Sequence, residues 1–492
     1  MTSETKKTYI HFIIGTVIMI AFRFFPEGFL PNVTPVGYQI LGIFIGTIYL
    51  WSTIDPLTSS VYSIVMLAFS DYSPAGPILK ECFGNPTVVQ MFFMMVFMAG
   101  LTERKLTVYI ARWLMTRKIV EGRPWVFTFI MMLGSLIIAT FINAFTAIFL
   151  FWPVLYDVFN DVGFKKTDKY PKIMLIAIVV SSLVGFPIPP YMSNGLALLG
   201  NYRSLLQNFP ALQNMEGVLV SDAAYFIGCL TMGIALLVLI LLLMKFVFRP
   251  DVSPLKSVTI EMLNRNPLPP MNKGQKIYGL TLCAFIFFML VPTLLPSVPF
   301  FGYIKANSFA VAVAVVFVVV LLRDEEGAPV LRMGPTMGKH MAWPTYFLCV
   351  AAILLGSVLT NESTGITPFL NAILGPIFNG MSGTTFTVAL LVICILLTNI
   401  SNSLVIGMIL QPVVLTFCAA NGVNPAPIIS LLTFTVLMTA ACTPAASPFA
   451  AMLFGNKEWL TSGDVYKYAT VMVLVESVFV LVIGIPYINI LM

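Results

Sequence analysis

The stretch SNSLVIGMILQPV at residues 401–413 resembles an earlier one, INAFTAIFLFWPV at residues 142–154. In both stretches an Asn near the start stands ten residues before a Pro, and most of the residues around them are apolar. Each copy is followed by a long apolar segment that prolines interrupt, GFPIPPYMSNGLALLGN at 185–201 and ACTPAASPFAAMLFGN at 441–456. A polar tip followed by a broken apolar segment therefore occurs twice in the chain.

The composition around these repeats is that of a membrane protein. Of the 492 residues, 58% are hydrophobic and 10% are charged, and the mean hydropathy is +0.93. Soluble domains carry about 25% charged residues, so a water-soluble enzyme is excluded, and disorder would need far fewer apolar residues. The apolar runs are continuous rather than alternating, which argues against a β-barrel. We predict an all-α polytopic membrane protein.

Apolar segments long enough to enter a membrane recur along the whole chain. The two that contain the polar tips, 124–158 and 383–419, are about 35 residues each, too long for one span and short for two complete ones. We interpret them as re-entrant hairpins, since irregular backbone at membrane depth is tolerated only inside protein or beside a wet cavity. About eleven transmembrane crossings remain. Their predicted segments are 8–25, 34–53, 57–70, 88–103, 172–206, 219–248, 276–295, 304–322, 341–360, 424–455 and 465–491.

The basic residues orient this topology. With the N-terminus in the cytoplasm, all of the 27 Lys and Arg residues fall on the cytoplasmic side except Arg23, Lys80, Arg203 and Lys305, as the positive-inside rule requires. The C-terminus then lies outside. This clustering also explains the net charge of +6 without a nucleic-acid partner. The stretch RKLTVYIARWLMTRK at 104–118 predicts an interfacial helix on the cytoplasmic face.

The predicted domains follow from the repeat. An N-terminal span (1–30) precedes a first repeat (31–248), and a cytoplasmic linker (249–275) leads to a second repeat (276–492). The first repeat contains the hairpin 124–158 and the broken helix 172–206, and the second contains the hairpin 383–419 and the broken helix 424–455. An odd number of crossings separates the hairpins, so the second copy is inverted. Inverted repeats with interrupted helices are the architecture of secondary transporters, whose sites lie near the midplane.

The tips and breaks offer neutral oxygen ligands. A break in mid-membrane exposes carbonyls and half-helix ends; carbonyl ends attract cations, and N-terminal ends attract anions. No Asp, Glu, Lys, Arg or His lies around either break or either tip. Glu476 is the lone acid well inside a span, in the last segment and away in sequence from both breaks. Besides main-chain carbonyls, the available ligands are Asn143, Thr146, Ser401, Asn402, Ser403 and Thr443.

At these residues the chain resembles the divalent anion/sodium symporter family, whose members carry dicarboxylates, citrate and similar anions. That family has a Ser-Asn-Thr motif at each hairpin tip and a Thr-Pro break in each of two later helices. The second tip, Ser401-Asn402-Ser403, and the second break, Cys442-Thr443-Pro444, are close to these patterns. The segments 30–64 and 83–106 are also similar to the family. The resemblance covers essentially the whole chain and implies a homodimer with an elevator-type movement.

The resemblance implies site residues at both tips. In the family one sodium ion lies between each tip and its broken helix, and the substrate carboxylates meet both tips. This implies cation ligands at Asn143 and Gly185 for one ion, and at Thr398, Asn402 and the Cys442 carbonyl for the other. The candidate substrate-binding residues, with the neutral oxygens of the second tip and break included, are Asn143, Ala144, Ser401, Asn402, Ser403, Thr443 and Pro444.

Three departures from the family pattern are visible. The first tip, Ile142-Asn143-Ala144, has no hydroxyl, and the first break has no Thr before Pro187. After the second break, Pro448 is followed by Phe449, where family members commonly have Asn. These departures leave a smaller or singly charged anion open as the substrate.

The sequence therefore predicts a sodium-coupled secondary carrier, not an enzyme, in the cell (inner or plasma) membrane. Its expected partners are a small organic anion, such as a di- or tricarboxylate, the lipid bilayer and a second copy of the chain; Na⁺ is the expected coupling ion. A sodium-independent anion exchanger is the first alternative. A cation/proton antiporter would need a titratable group, for which only Glu476 is available, and a channel fits broken helices less well.

Overall fold

The computed structural model describes residues 3–263, 268–295, 297–378 and 380–492. Across these ranges the chain is helical and forms no β-strand. Nine helices of the described part are long and apolar enough to cross a membrane, and the number is ten if one bent pair counts as a single span. The all-α polytopic fold is confirmed.

The N-terminal part packs two long helices against each other and ends in a short amphipathic helix. Asp55 and Asn85 cap the helices that follow them, and a Pro occupies the first helical position after each cap, where its missing N–H costs nothing. The helices of this part are α1 (Ser3–Ala21), α2 (Pro35–Thr53), α3 (Pro56–Ala68), α4 (Ala75–Phe83), α5 (Pro86–Glu103) and α6 (Leu106–Met115).

The first repeat is a pair of helices joined at a tip, then a helix interrupted at the prolines. Helices α7 and α8 pack against each other and are joined by Ile142 and Asn143 alone. The backbone then leaves the helical conformation over residues 186–192. The helices of this part are α7 (Pro124–Phe141), α8 (Ala144–Asp161), α9 (Lys169–Gly185), α10 (Ser193–Leu206), α11 (Pro210–Gln213) and α12 (Asp222–Leu243).

The middle of the chain contains two apolar helices that meet at a bend of 88°. The predicted span 304–322 begins only at Ser308, because the preceding helix meets it at 88° next to Asn307. Hydropathy does not predict such a bend, because one polar residue barely changes the mean hydropathy of an apolar run. The helices of this part are α13 (Ile260–Leu263), α14 (Lys273–Leu294), α15 (Pro299–Ala306), α16 (Ser308–Leu321), α17 (Met333–His340), α18 (Trp343–Thr360) and α19 (Ile366–Phe378).

The second repeat has the same order of elements as the first. The rings of Phe386 and Phe417 stack at 3.8 Å, and Gly383, at the start of one helix of the pair, lies against Val423, just beyond the end of the other. The pair is therefore an antiparallel hairpin with its tip at residues 399–402. The helices of this part are α20 (Gly383–Thr398), α21 (Ser403–Asn421), α22 (Pro425–Met438), α23 (Pro448–Gly455), α24 (Ser462–Phe479) and α25 (Ile485–Leu491).

Seven of the eleven predicted crossings are long apolar helices of the described part, and one helix from each hairpin completes the nine. The other four predicted crossings fall short: 57–70 forms a 13-residue helix, 304–322 is bent next to Asn307, and prolines interrupt 172–206 and 424–455. The broken helices are split into pieces of 17 and 14 residues in the first repeat and 14 and 8 residues in the second. None of these pieces reaches the roughly 20 residues of an ordinary span. The two helices of each hairpin are 16 to 19 residues long.

A buried polar contact joins the two repeats. The amide of Asn201 on α10 donates to Gln411 on α21 at 2.7 Å, and the Gln411 amide donates to the Leu198 carbonyl at 2.9 Å. Gly407 lets the helices approach, because a Cβ there would lie 2.8 Å from the Leu198 side chain. Small residues and interhelical amides are the usual means by which membrane helices pack closely.

Candidate functional site

A cavity of about 240 Å³ lies between the two hairpin tips. Both repeats contribute to it, and so do helices of the N-terminal and middle parts. The cavity is lined by Pro56, Met95, Asn143, Phe145, Leu183, Phe186, Asn194, Ala342, Pro344, Thr345, Leu348, Asn402, Ser403, Leu404, Leu437, Ser447, Pro448 and Phe449. None of these side chains is charged, so whatever the cavity binds must be held by neutral groups and backbone dipoles.

Six helices begin at this cavity. In the hairpins, Asn143 caps α8 by accepting from the Phe145 N–H at 2.7 Å, and Asn402 caps α21 by accepting from Leu404 at 3.0 Å. Helices α3, α10, α18 and α23 also place residues of their first turn in the lining. A helix N-terminus carries about half a positive charge and unpaired N–H groups. Their convergence makes the cavity attractive to an anion although no basic side chain lines it.

The second tip is clamped to the second break by Asn399. Its amide donates to the Thr439 carbonyl at 3.0 Å, its side-chain oxygen accepts from the Cys442 N–H at 2.9 Å, and its carbonyl accepts from the Thr443 hydroxyl at 2.6 Å. The backbone N–H of Ser403 also donates to the Ala446 carbonyl at 3.3 Å. Hairpin and broken helix are therefore one connected unit at this end.

The first break is held differently. The Thr140 hydroxyl donates to the Gly185 carbonyl at 3.1 Å, which joins α7 to the end of α9. The buried Tyr225 hydroxyl of α12 donates to the Pro187 carbonyl at 2.9 Å. Gly185 permits the close approach, since a Cβ there would lie 2.5 Å from the Leu136 carbonyl oxygen. Both breaks are therefore bonded to their own hairpins, and the first is also bonded to the neighbouring helix α12.

Helix C-termini meet beside each tip. Helices α7 and α9 end at Phe141 and Gly185, and α20 and α22 end at Thr398 and Met438. Thr398 donates its hydroxyl to the Val436 carbonyl at 2.8 Å, which holds the second pair of ends together. Such ends carry partial negative charge and carbonyls that helices leave unpaired. Each repeat thus places cation-attracting ends next to the anion-attracting ends of the cavity.

A smaller space of about 80 Å³ adjoins the cavity and shares Met95, Asn143 and Ala342 with it. His340, an exposed residue at the end of α17, lines this space together with Thr102. Among the residues that the structure describes, the imidazole is the one titratable group in the lining of either space.

The structure brings three of the seven predicted substrate residues to the cavity: Asn143, Asn402 and Ser403. Of the other four, Ala144 is fully buried behind its tip and Pro444 is exposed outside the lining. Ser401 and Thr443 are half-buried next to the tip, and neither lines the cavity.

Two of the five predicted cation ligands line the cavity. Asn143 and Asn402 line the cavity, whereas Gly185, Thr398 and Cys442 lie behind it, at the ends of α9 and α20 and in the second break.

Sequence reasoning missed Asn194, Thr345 and Ser447, which supply three of the polar side chains of the lining. Two of them carried a usable signal, because Ser447 precedes Pro448 as a helix cap does and Asn194 directly follows the first break. Thr345 carried none, since α18 lies far from both hairpins and both breaks in the sequence.

The family model described as the sodium:sulfate symporter transmembrane region matches residues 6–492. No curated protein matches the chain by sequence.

Two solved structures share the fold. The YdaH transporter of Alcanivorax borkumensis, described as having an unusual topology, is 15% identical, with a TM-score of 0.58 over 91% of this chain and 98% of that one. MtrF of Neisseria gonorrhoeae, described with a class of antimetabolite efflux pumps, is 16% identical, with a TM-score of 0.53 over 98% of this chain and 94% of that one. Both similarities concern the fold.

Proposed function

The chain belongs to the divalent anion/sodium symporter family, the sodium:sulfate symporter group, and from this premise we propose that it moves a small organic anion together with sodium ions. Membership makes it a membrane transport protein and not an enzyme. The anion, the sodium coupling, the dimer and the elevator movement are our proposals.

The convergence of six helix N-termini on one uncharged cavity carries this proposal. An anion in the cavity would accept bonds from N–H groups beyond the caps of α8 and α21 and from the side chains of Asn143, Asn402 and Thr345. Neutral donors bind a dianion less tightly than arginine does, which suits a carrier that must also release its substrate.

The size of the cavity favours the smaller anions. Its volume of about 240 Å³ lies below the roughly 300–1,000 Å³ of typical ligand pockets. We therefore place a four-carbon dicarboxylate such as succinate ahead of a tricarboxylate such as citrate. Inorganic sulfate is the competing substrate, because the matching family model is named for it.

Sodium would bind at the helix C-termini beside each tip. We assign one ion to Asn143 and the Gly185 region, and the second to Thr398, Asn402 and the Cys442 carbonyl. Hard monovalent cations accept neutral oxygen ligands. A cation at these ends would offset the charge of the dianion a short distance away, so that each ligand strengthens the binding of the other.

We further propose that both hairpins are re-entrant, that the N-terminus is cytoplasmic and that two copies associate. In this topology the small space beside the cavity points toward the cytoplasm, because His340 directly follows Lys339 and Thr102 lies two residues before Arg104. The conformation is then inward-facing.

Uptake into proteoliposomes tests the proposal. Purified protein is reconstituted, and uptake of labelled succinate, citrate and sulfate is measured with an inward sodium gradient and with choline in its place. We expect sodium-dependent succinate uptake. Uptake of no anion would refute the carrier assignment, and uptake equal in choline would refute sodium coupling.

The asymmetry between the tips favours one alternative. The side chain of Asn399 makes two bonds from the second tip to its break, whereas the equivalent residue at the first tip, Thr140, makes one, to the Gly185 carbonyl. A weaker first cation site would suit an anion exchanger. Uptake accelerated by unlabelled anion inside the vesicles, without sodium, would identify it.

A further inference from the structure

A surface pocket of about 610 Å³ lies between helix α6 and the segment that leads into α14. Its volume is within the roughly 300–1,000 Å³ of typical ligand pockets, and the proposed transport cycle does not use it. The lining includes Tyr109, Arg112, Trp113 and Arg117 on the α6 side, and Pro269 and Pro270 on the other.

The pocket lies where three helices that are long enough to cross a membrane have their ends. Helix α5 ends at Glu103, just before α6, and α14 begins at Lys273, just after the pocket lining. Helix α7 begins at Pro124 and packs against α6. The Gln275 side chain of α14 donates to the Arg104 carbonyl at 2.9 Å, which holds the starts of α6 and α14 together. A pocket at the ends of three spans lies at the level of the lipid headgroups.

Arg117 presents hydrogen-bond donors in this pocket. Its Nε donates to the Trp113 carbonyl at 2.7 Å, and its guanidinium lies 4.0 Å from the centroid of the Trp113 ring. These two contacts fix the plane of the guanidinium. Among the described residues, no acceptor pairs with its two terminal nitrogens. A fixed guanidinium with free terminal N–H groups is suited to bind phosphate oxygens.

The charge around the pocket is positive. The stretch 104–118 contains five basic residues and no acid, and Lys105, Arg117 and Lys118 are exposed. No acid is in the lining that the described residues form. The preceding acid, Glu103, accepts a hydrogen bond from the Thr336 hydroxyl. An anion is therefore the ligand that this surface attracts.

The apolar side chains at the pocket indicate that this anion belongs to a lipid. Trp113 is 58% exposed, and Ile119, one turn beyond α6, is 52% exposed. Trp and Tyr are enriched where spans reach the headgroups, because their rings have an apolar body and a polar edge. A basic helix with exposed aromatic and aliphatic side chains is typical of a membrane surface. A soluble anion would contact the arginines alone and leave Trp113, Pro269 and Pro270 without a partner.

We propose that this pocket binds the headgroup of an anionic phospholipid of the surrounding membrane. A phosphate oxygen accepts hydrogen bonds from the terminal nitrogens of Arg117, and the glycerol region packs against Trp113, Pro269 and Pro270. A lipid with a net negative charge is preferred to a zwitterionic one, because the nearby basic residues attract net charge. The proposal requires only that the chain lies in a membrane, so it is independent of the transported anion.

Native mass spectrometry of the purified full chain tests the proposal. The wild type and Arg117→Gln are titrated in detergent with phosphatidylglycerol, with phosphatidylcholine of the same acyl chains, and with glycerol phosphate. We expect the wild type to bind phosphatidylglycerol more tightly than phosphatidylcholine. R117Q should bind phosphatidylglycerol about fivefold more weakly, the equivalent of about 1 kcal/mol for one basic residue at a membrane surface.

Arg249→Gln is the matched control. Arg249 is exposed after the span Asp222–Phe248, and its Nε donates to the Phe246 carbonyl at 2.6 Å, but it does not line the pocket. R249Q should keep the wild-type affinity. Equal losses in both variants, or equal binding of the two lipids by the wild type, would overturn the proposal. Glycerol phosphate binding as tightly as phosphatidylglycerol would assign the pocket to a soluble phosphate and would also overturn it.

A second measurement locates the lipid and does not use R117Q. The emission difference between the wild type and Trp113→Phe in lipid nanodiscs isolates the fluorescence of Trp113. Phospholipids brominated near the carbonyl end of their chains quench a tryptophan that they contact. We expect brominated phosphatidylglycerol to quench Trp113 more strongly than brominated phosphatidylcholine at the same mole fraction. Equal quenching by the two lipids, or none by either, would contradict the proposal.

Discussion

Asn143 and Asn402 cap two helices that begin at the same cavity, although they belong to different halves of the chain. Each side-chain oxygen accepts a backbone N–H that would otherwise be unpaired, which fixes the direction of the helix that follows. The two residues occupy equivalent positions in the two repeats. The helices that they cap therefore direct the positive ends of their dipoles at the same cavity.

The first prediction concerns Asn402. Asn402→Ala removes the cap of α21 and a polar group of the cavity, and we expect anion uptake to be lost although the protein still inserts. Loss of a cap alone costs about 1 kcal/mol.

Asn424→Ala is the matched control, because Asn424 caps α22 by the same bond to Ala426 at 3.0 Å and does not line the cavity. It should lose similar stability and keep uptake. Full uptake by N402A, measured in proteoliposomes, would show that the tip is only structural.

The second prediction concerns the clamp at the second tip. Asn399→Ala removes the bonds to Thr439 and Cys442, which should loosen the adjacent sodium site. A loss of about 1.4 kcal/mol in sodium binding raises the half-saturating sodium concentration about tenfold.

The control for the clamp is Asn421→Ala. Asn421 donates to the Phe417 carbonyl at 2.9 Å, the same bond to the fourth preceding residue that Asn399 makes, but at the other end of α21. Sodium titrations of uptake should leave N421A unchanged. Equal shifts in both variants would mean that helix stability and not the clamp sets sodium affinity.

The third prediction concerns Thr345, which lines the cavity from α18 outside either hairpin. Thr345→Val keeps the shape and removes the hydroxyl. Losing one hydrogen bond of about 1 kcal/mol should raise KM several-fold with maximal uptake unchanged.

Thr281→Val serves as the control for this change, since its hydroxyl bonds within α14 at 2.8 Å and lies outside the cavity lining. A KM for T345V equal to that of the wild type would remove α18 from the substrate site.

The tips and breaks could be predicted from the sequence because their signals are local. An Asn before a helix caps it, and closely spaced prolines interrupt a helix, so residues 143, 402 and 444 were recognisable without knowledge of packing. A single proline is a weaker signal, since Pro153 and Pro412 lie inside continuous helices.

Two other features of the site could not be predicted in this way. Thr345 lines the cavity, and the Tyr225 hydroxyl donates to the Pro187 carbonyl. Both depend on which apolar segments lie side by side. Hydropathy does not encode that choice, because uniformly apolar helices such as α12 look the same on every face. The bend at Asn307 was missed for a related reason, since one polar residue barely alters the hydropathy of its segment.

The fourth prediction concerns pH and a contact outside the spans. Burial raises the pKa of Asp324, but the hydrogen bond from Arg104 and those from the Ala328 and Glu326 backbone outweigh it and hold the pKa below its ordinary value. The Arg104–Asp324 ion pair measures 3.0 Å. An acid with a lowered pKa stabilises the fold above its unfolded pKa of about 3.9, and this contribution is lost as the pH falls through the folded pKa.

Asp324→Asn should therefore lower Tm at neutral pH, and the difference from the wild type should shrink once the pH falls below about 3.9 and vanish below the folded pKa. Glu326→Gln, which removes the same charge from the same turn, should change Tm little. Thermal unfolding in detergent at both pH values measures this. A Tm loss for D324N that is independent of pH would assign its effect to packing rather than charge.

The most direct test of the central claim is a cryo-EM structure of the protein in lipid nanodiscs with sodium and the transported anion at saturating concentration. We predict density for one anion between Asn143 and Asn402, in contact with the first turns of α8 and α21. An empty cavity, or an anion bound elsewhere on the protein, would contradict it.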